Sequence, residues 1–489
     1  MSNSYKDIMK ATSITGSVQV IRLFFGLIRN KMIALLFGPA GLGVWGLYQS
    51  FTDMVQSAAS LGLDKSAVKQ IAENHDDLKK RNLAIKVTQY SVAIFSLICS
   101  ISVAIFAEDI SKNIFGSVEY KVGVWVCSLV IFINSVTAAL KAVLNGLSEI
   151  KVLAVSQLMG VLFGNVVVFS LLPFLDAVAI PFYFLVIAAA AFIPVLAFYR
   201  RLGLSFVKST FAESFATLSQ LMKLGLAFWV SAFFMAFITY MINIFLKDKF
   251  SLDVVGIYQA SWVISNLYIG VILTAMGVAF FPKVSKTIDD IDETRKVINE
   301  QIEFGLLISL PFVLVFFVFA PVFLMLLYSS SFEIGETIIR WFILGVIIRL
   351  LGFPLSYALM AKGRPLFYVV GQFVLSLANY CLLLLFVDLY GYEGLGMNYF
   401  IAYCVYIFLL IVFCYQALDY IISVSILKVI AVYLLCLFAS LMVFTICSGM
   451  LFYFYGFIIV VLSAVYSYRQ LVTKINVDIV GYLKSKMAK

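Results

Sequence analysis

The chain has 489 residues, 63% of them hydrophobic and only 12% charged, with a formal net charge of +9. Soluble domains carry about 25% charged residues. At a mean hydropathy of +1.04 this chain cannot cover its own apolar surface in water, which excludes a soluble globular enzyme.

Apolar runs of about 20 residues, each long enough to cross a bilayer as a helix, recur from end to end. Fourteen are expected, at 12–37, 41–63, 83–107, 121–145, 152–173, 178–199, 223–246, 254–281, 302–327, 334–360, 366–387, 394–417, 425–447 and 450–468. Backbone polar groups cannot go unsatisfied in lipid, so runs of this length are helices, and the expected class is all-α integral membrane. The first run carries Arg22 and Arg29 and is followed by Gly38-Pro39, unlike a cleavable signal peptide. The link to the second run, "FGPAGLGVWGLYQS" (Phe37 to Ser50), has the proline and glycines of a tight reversal.

Lys and Arg counted on alternate sides of the membrane give 25 on the side holding both termini and four (Lys112, Lys121, Lys247, Lys249) on the other. The richer side includes Lys6, Lys10, the loop cluster Lys65 to Lys86, and Lys474, Lys484, Lys486 and Lys489 in the tail. The positive-inside rule then puts both termini in the cytoplasm. The positive balance reflects topology and does not indicate a nucleic-acid partner. The seven cysteines, all in apolar runs, form no metal spacing and no disulfide framework.

The Gly-x-Tyr-Gln core of "VWGLYQS" returns in "VVGIYQAS" (Val254 to Ser261), 210 residues later. A second block pairs "VSQLMGVLFGN" with "VGQFVLSLAN" and sets Gln157 against Gln372 at an offset of 215. Two blocks in one order predict two six-helix halves in a parallel repeat, residues 1–210 and 211–422. Residues 423–489 add two helices and a basic tail. Parallel repeats occur in transporters whose site lies where the repeats meet.

Six basic residues fall inside the runs: Arg22, Arg29, Lys31, Lys141, Arg340 and Arg349. Such a charge costs about 2.5–3.5 kcal/mol on insertion scales and normally faces a cavity or a partner. Gln19, Arg22, Gly26 and Arg29 share one helical stripe, as do Gln49, Asp53 and Gln56. Arg340 and Arg349, nine residues apart, face opposite sides of their helix. Two readings of these residues are open. In one, Asp53 pairs with Arg22 or Arg349 as a structural ion pair. In the other, Arg22, Arg29 and Arg349 form a cationic cavity for an anionic headgroup, while Lys31, Lys141 and Arg340, nearer helix ends, either line that cavity or snorkel to the interface. Guanidinium suits such a cavity because its planar fork binds phosphate oxygens in pairs. The amides Gln157, Gln259, Gln372, Asn165, Asn243, Asn266 and Asn379, with Tyr258, either line the cavity with Gln49 and Gln56 or hydrogen-bond between helices. No catalytic constellation, metal-ligand cluster or nucleotide-binding motif is present, and the one histidine, His75, lies in a charged loop.

The first helix with Arg22 and Arg29, then "LLFGPAGLGVWGLYQS", then a basic loop, resembles the polysaccharide-transporter branch of the multidrug/oligosaccharidyl-lipid/polysaccharide (MOP) superfamily, above all the O-antigen flippases. The resemblance implies a multi-pass protein of the bacterial inner membrane, without enzymatic activity. It would flip an undecaprenyl-pyrophosphate-linked oligosaccharide by alternating access, for lipopolysaccharide or a related surface polymer. It also implies Arg22 and Arg29 as pyrophosphate ligands, a lipid-tail groove formed by the last two helices, no cofactor, and coupling to H+ or Na+ through Asp53. Other polysaccharide-assembly membrane proteins are the implied partners. The seventh run lacks an arginine, so Arg349 would supply the charge of the second half. A cation-coupled multidrug exporter of the same superfamily is the alternative. A membrane-embedded glycosyltransferase or polymerase is disfavoured by the short loops on the periplasmic side.

Overall fold

The computed structural model describes residues 3–174, 176–204, 207–447 and 449–475. Lys484, Lys486 and Lys489 of the basic tail lie outside these residues, as do the side chains of Lys6, Lys10 and Lys474. All regular structure among the described residues is helical. In order these are α1 (Asn3–Ser60), α2 (Leu63–Glu73), α3 (Leu78–Ile105), α4 (Ala107–Phe115), α5 (Lys121–Gly146), α6 (Ile150–Leu171), α7 (Ile180–Arg201) and α8 (Phe211–Lys249). They continue with α9 (Leu252–Thr287), α10 (Ile291–Val318), α11 (Ala320–Leu327), α12 (Gly335–Ala361), α13 (Pro365–Tyr390), α14 (Gly394–Leu418), α15 (Val424–Ile446) and α16 (Met450–Ile475). Among the described residues, eleven segments are long and apolar enough to cross a membrane: α3, α5, α6, α7, Trp229–Lys249 of α8, α10 and α12 to α16. The chain is a multi-pass membrane protein.

α1 is interrupted at Gly38, whose φ of 65° and ψ of −165° lie where an L side chain is strained. Two arms result, one on each side of the break. Two short α-helices, α2 and α4, fall outside the expected runs, and a third, α11, divides one of them. α2 lies in the loop that reads as solvated, yet its Leu63, Ala67 and Ile71 are buried with Ala139, Ala142 and Val143 of α5 and Leu221 of α8. α4 is a nine-residue helix beyond the end of α3. The expected run 302–327 is broken at Phe319, the shared residue between α10 and α11. α10 also begins earlier than its apolar run, because the Asp290 side chain accepts from the backbone N–H groups of Asp292 and Glu293 and caps the helix.

Packing divides the chain into two compact units. The first is Met1–Gln259 with Leu327–Ser331, and the second is Ala260–Leu326 with Phe332–Lys489. The packing boundary falls inside α9, so α8 and the start of α9 pack with the first unit, whereas the repeat places its boundary at 210/211.

Within the first unit the two Gly-x-Tyr-Gln motifs meet. A Cβ at Gly43 would stand 2.0 Å from the Leu252 carbonyl oxygen, and one at Gly256 would stand 1.9 Å from that of Pro39. Gly46 faces the Gln259 side chain, at 2.8 Å from its Cγ. The second arm of α1 therefore crosses the start of α9 backbone against backbone, a distance only glycine permits. Tyr48 and Tyr258 are both buried, and Tyr48 packs on Phe115 of α4 and donates its hydroxyl to the Tyr120 carbonyl.

Candidate functional site

In the first unit two cations from two helices, Arg22 of α1 and Lys141 of α5, come together. On the first arm of α1, Arg22 is exposed, and its Nη2 donates to Gln157 Oε1 on α6 at 2.9 Å. Lys141 of α5 is its charged neighbour. Among the described residues no carboxylate pairs with Arg22, Arg29 or Lys141. The ion pair of Arg22 with Asp53, one of the two readings of that acid, is not formed. Lys31 is half-buried and engaged by a neighbour of its own.

Arg29 lies farther along the same arm. Its Cζ stands 4.3 Å from the centroid of the Trp45 ring, and its Nη2 makes a long 3.5 Å contact to Asn30 Oδ1. The Arg29 Nε is buried without a hydrogen-bond partner among the described residues. Trp45 stacks on Phe184 of α7, with centroids 4.1 Å apart and planes at 25°. Its indole Nε1 donates to Gln49 Oε1 at 3.0 Å, and Gln49 is in turn the side-chain partner of Asp53. Gln49 and Asp53 are exposed and Gln56 is half-buried. In a straight helix, residues 29 and 45 would be about 24 Å apart along the axis. Their contact exists because the chain reverses at Gly38.

Inside the second unit the cations are spent differently. Arg349 on α12 donates through Nη1 to Asn266 Oδ1 of α9 at 2.8 Å, and Asn266 Nδ2 donates to the Trp262 carbonyl at 3.0 Å. Tyr399, Tyr403 and Tyr406 of α14 surround the guanidinium, with the first two rings 4.7 Å apart. Arg340 pairs with Glu336 one turn earlier at 2.6 Å and lies over the Phe444 ring at 4.0 Å. These two arginines have protein partners, as expected of charges retained for structure.

Most of the amides connect helices. Gln259 Nε2 donates to Asn243 Oδ1 at 3.1 Å, Gln372 Nε2 to Tyr406 Oη at 3.0 Å, and Asn398 Nδ2 to the Asn379 carbonyl at 3.2 Å. Asn165 returns its Nδ2 to the Val161 carbonyl of its own helix. Sequence reasoning missed Trp45 and the three tyrosines of α14. Trp45 precedes Gln49 by four residues, so it extends the Gln49–Asp53–Gln56 face by one turn. The tyrosines follow an i, i+4, i+7 spacing on one stripe. Both signals are present in the sequence, although the contacts they make are tertiary.

A guanidinium and an ammonium group side by side, without a carboxylate partner among the described residues, have unspent positive charge and N–H donors. The chemistry they suit is capture of an anion, and phosphate oxygens fit the guanidinium fork.

Comparison with known proteins gives the family and the fold. Residues 32–334 match the family model described as "Polysaccharide biosynthesis protein". The lipid III flippase of Escherichia coli (strain K12) is 23% identical over 415 residues, covering 82% of this chain and 96% of the relative, and that of Shigella flexneri gives the same values. Among solved structures, the lipid II flippase MurJ in an inward closed conformation superposes with a TM-score of 0.72 at 15% identity, over 93% of this chain and 98% of that one. An inward-facing multidrug resistance MATE family transporter of the MOP superfamily gives 0.69 at 16% identity, over 81% and 94%. The fold is that of the MOP superfamily, and the chain belongs to the polysaccharide biosynthesis protein family.

Proposed function

We propose that this protein flips a polyprenyl-pyrophosphate-linked oligosaccharide across the bacterial inner membrane. The observation that carries the reading is that Arg22 with its neighbour Lys141, and Arg29 two turns along the same arm of α1, have no carboxylate partner among the described residues. Charges kept inside a bilayer without a protein counter-ion are retained for a ligand, here the pyrophosphate. The headgroup would cross through the cationic site, with Gln49, Gln56 and Gln157 toward the sugar, while the lipid chain stays in the bilayer. The lipid III and lipid II flippases among the similar proteins support a lipid-linked substrate, and an O-antigen-like repeat unit is the form we assign. In this reading the two arms of α1 and the helix α9 raise the eleven crossings to fourteen, and both termini are cytoplasmic. Residues 1–210 and 211–422 are the repeated halves, 423–489 the appended helices and tail, and other polysaccharide-assembly membrane proteins the partners. Alternating access would expose the site to one side and then the other, coupled to H+ or Na+ through Asp53. A drug exporter for cations would need acids where this site has bases, which sets that alternative behind.

The test is surface polysaccharide in cells carrying Arg22→Gln and Arg29→Gln, with protein abundance measured alongside. Loss of polymer at unchanged abundance is expected. Normal polymer in both variants would reject the cationic site. For Asp53→Asn, transport that no longer responds to a proton or sodium gradient is expected, and an unaltered response would remove the coupling role.

A further inference from the structure

Arg29 is held by a ring that the assignment of an anion site does not itself require. We infer that Trp45 is a positioning residue for Arg29, fixing the plane of the guanidinium so that its N–H edge, and not its face, meets the anionic ligand. The inference rests on the proposed function and adds a residue to it.

Three contacts carry the argument. Arg29 Cζ lies 4.3 Å from the Trp45 centroid, a cation–π contact that places the ring against one side of the cation. The ring cannot yield, because Phe184 stacks on it at 4.1 Å and Gln49 Oε1 holds the indole N–H at 3.0 Å. Trp45 itself is 5% exposed, too enclosed to serve as a sugar-stacking platform, so its role runs through Arg29. A guanidinium carries its donors in one planar fork. Of those donors, Nη2 makes the long contact to Asn30 Oδ1, and the Nε has no protein acceptor among the described residues. Buried donors are nearly always satisfied, and an arriving pyrophosphate oxygen is the acceptor this edge fits. Arg has several rotatable bonds, and an unclamped side chain would lose rotamer freedom when it binds. A clamped one has already done so, which is preorganisation of the site. The clamp also joins the two arms of α1. Arg29 is on one and Trp45 on the other, so the cation takes its place only when the reversal at Gly38 is formed.

The experiment uses the full-length protein in nanodiscs and a polyprenyl pyrophosphate as probe, with binding followed by native mass spectrometry. Trp45→Leu removes the ring and should weaken binding about tenfold, within the range of a desolvated cation–π contact. Trp45→Phe keeps an aromatic face and should recover most of that loss. In an Arg29→Gln background, Trp45→Leu should cost nothing further, the signature of residues acting as one unit. The thermal midpoint of each variant is recorded in the same preparations. Wild-type affinity in Trp45→Leu would overturn the inference, as would an equal loss with and without Arg29, which would mark a structural role only. If Arg29→Gln alone binds the probe normally, the anion site fails and the positioning role fails with it. If Arg29→Gln is weak and both Trp45 variants are normal, only the positioning role is lost.

Discussion

Arg340 in the second unit faces Glu336 at 2.6 Å, and Arg349 gives a hydrogen bond to Asn266 within a ring of tyrosines. In the first unit Arg22 has only the neutral Gln157, Lys141 has another cation beside it, and Arg29 has an aromatic face. Arg340 and Arg349 meet a carboxylate and a hydrogen-bonding amide, whereas Arg22, Lys141 and Arg29 meet no carboxylate among the described residues. A charge whose partners are internal contributes to folding. A charge whose partners are missing is a cost to folding that is offset when a ligand arrives. On the proposed function, the first pair is kept for stability and the other three for use.

This comparison can be broken by substitution. The largest effect should fall on transport: Arg29→Gln is expected to lower flipping in proteoliposomes about a hundredfold, as loss of a charge-assisted contact would, while leaving the thermal midpoint unchanged or raised. A lowered midpoint with normal flux would reverse the assignment of the first unit. Arg340→Ala should do the opposite, lowering stability by about 3 kcal/mol because Glu336 is left as a half-buried charge. Unfolding in graded denaturant would show it, and Arg340→Ala with Glu336→Gln should recover part of the loss. Asn266→Ala removes one neutral acceptor from Arg349 and should cost about 1 kcal/mol. A null result there would mean that the tyrosines alone hold the guanidinium.

The smallest effect lies outside the membrane, where a paired charge is exposed. Glu108 of α4 accepts from Lys112 and from Lys121, each at 2.9 Å, and these hydrogen bonds hold its carboxyl down to about 2. A depressed carboxyl stabilises the folded form above its unfolded value, about 4.3, and that contribution disappears as pH falls toward 2. Hydrogen exchange in α4 should therefore quicken modestly as acid is added, and high salt should weaken the effect. Glu108→Gln should remove the pH response, and its persistence would assign it to another group.

Much of the fold was legible in the sequence, but not the division of the cations, since the sequence pattern groups Arg349 with Arg22 and Arg29 and the structure gives it Asn266 and the α14 tyrosines. Hydrophobic length alone locates most of the crossing segments, since lipid leaves the backbone no alternative to helix. The glycine and proline of Gly38-Pro39 announce the reversal of α1, and opposite placement of Arg340 and Arg349 follows from 3.6 residues per turn. The break between α10 and α11 had a signal that the expected run 302–327 passed over: Pro321 is the second residue of α11, a position where proline starts a helix and cannot continue the one before it. α2 was hidden by its charges: Lys65 and Lys69 mark the sequence, while the buried side is only Leu63, Ala67 and Ile71. The approach of Lys141 to Arg22 joins residues from different helices, and no local pattern encodes it.

The backbone crossing of Gly43 with Gly256 bears on how the chain assembles. These residues are some two hundred positions apart, so their contact closes a very long loop, and contacts of that separation form late. A chain emerging from synthesis has inserted α1 to α8 before the start of α9 exists to meet Pro39 and Gly43. Until then the second arm of α1 has an uncovered glycine strip, which makes this stretch a marker of incomplete biogenesis. Chains stalled before residue 252 should be the ones that proteases and chaperones recognise, and a single methyl group at Gly256 should prolong that vulnerable interval.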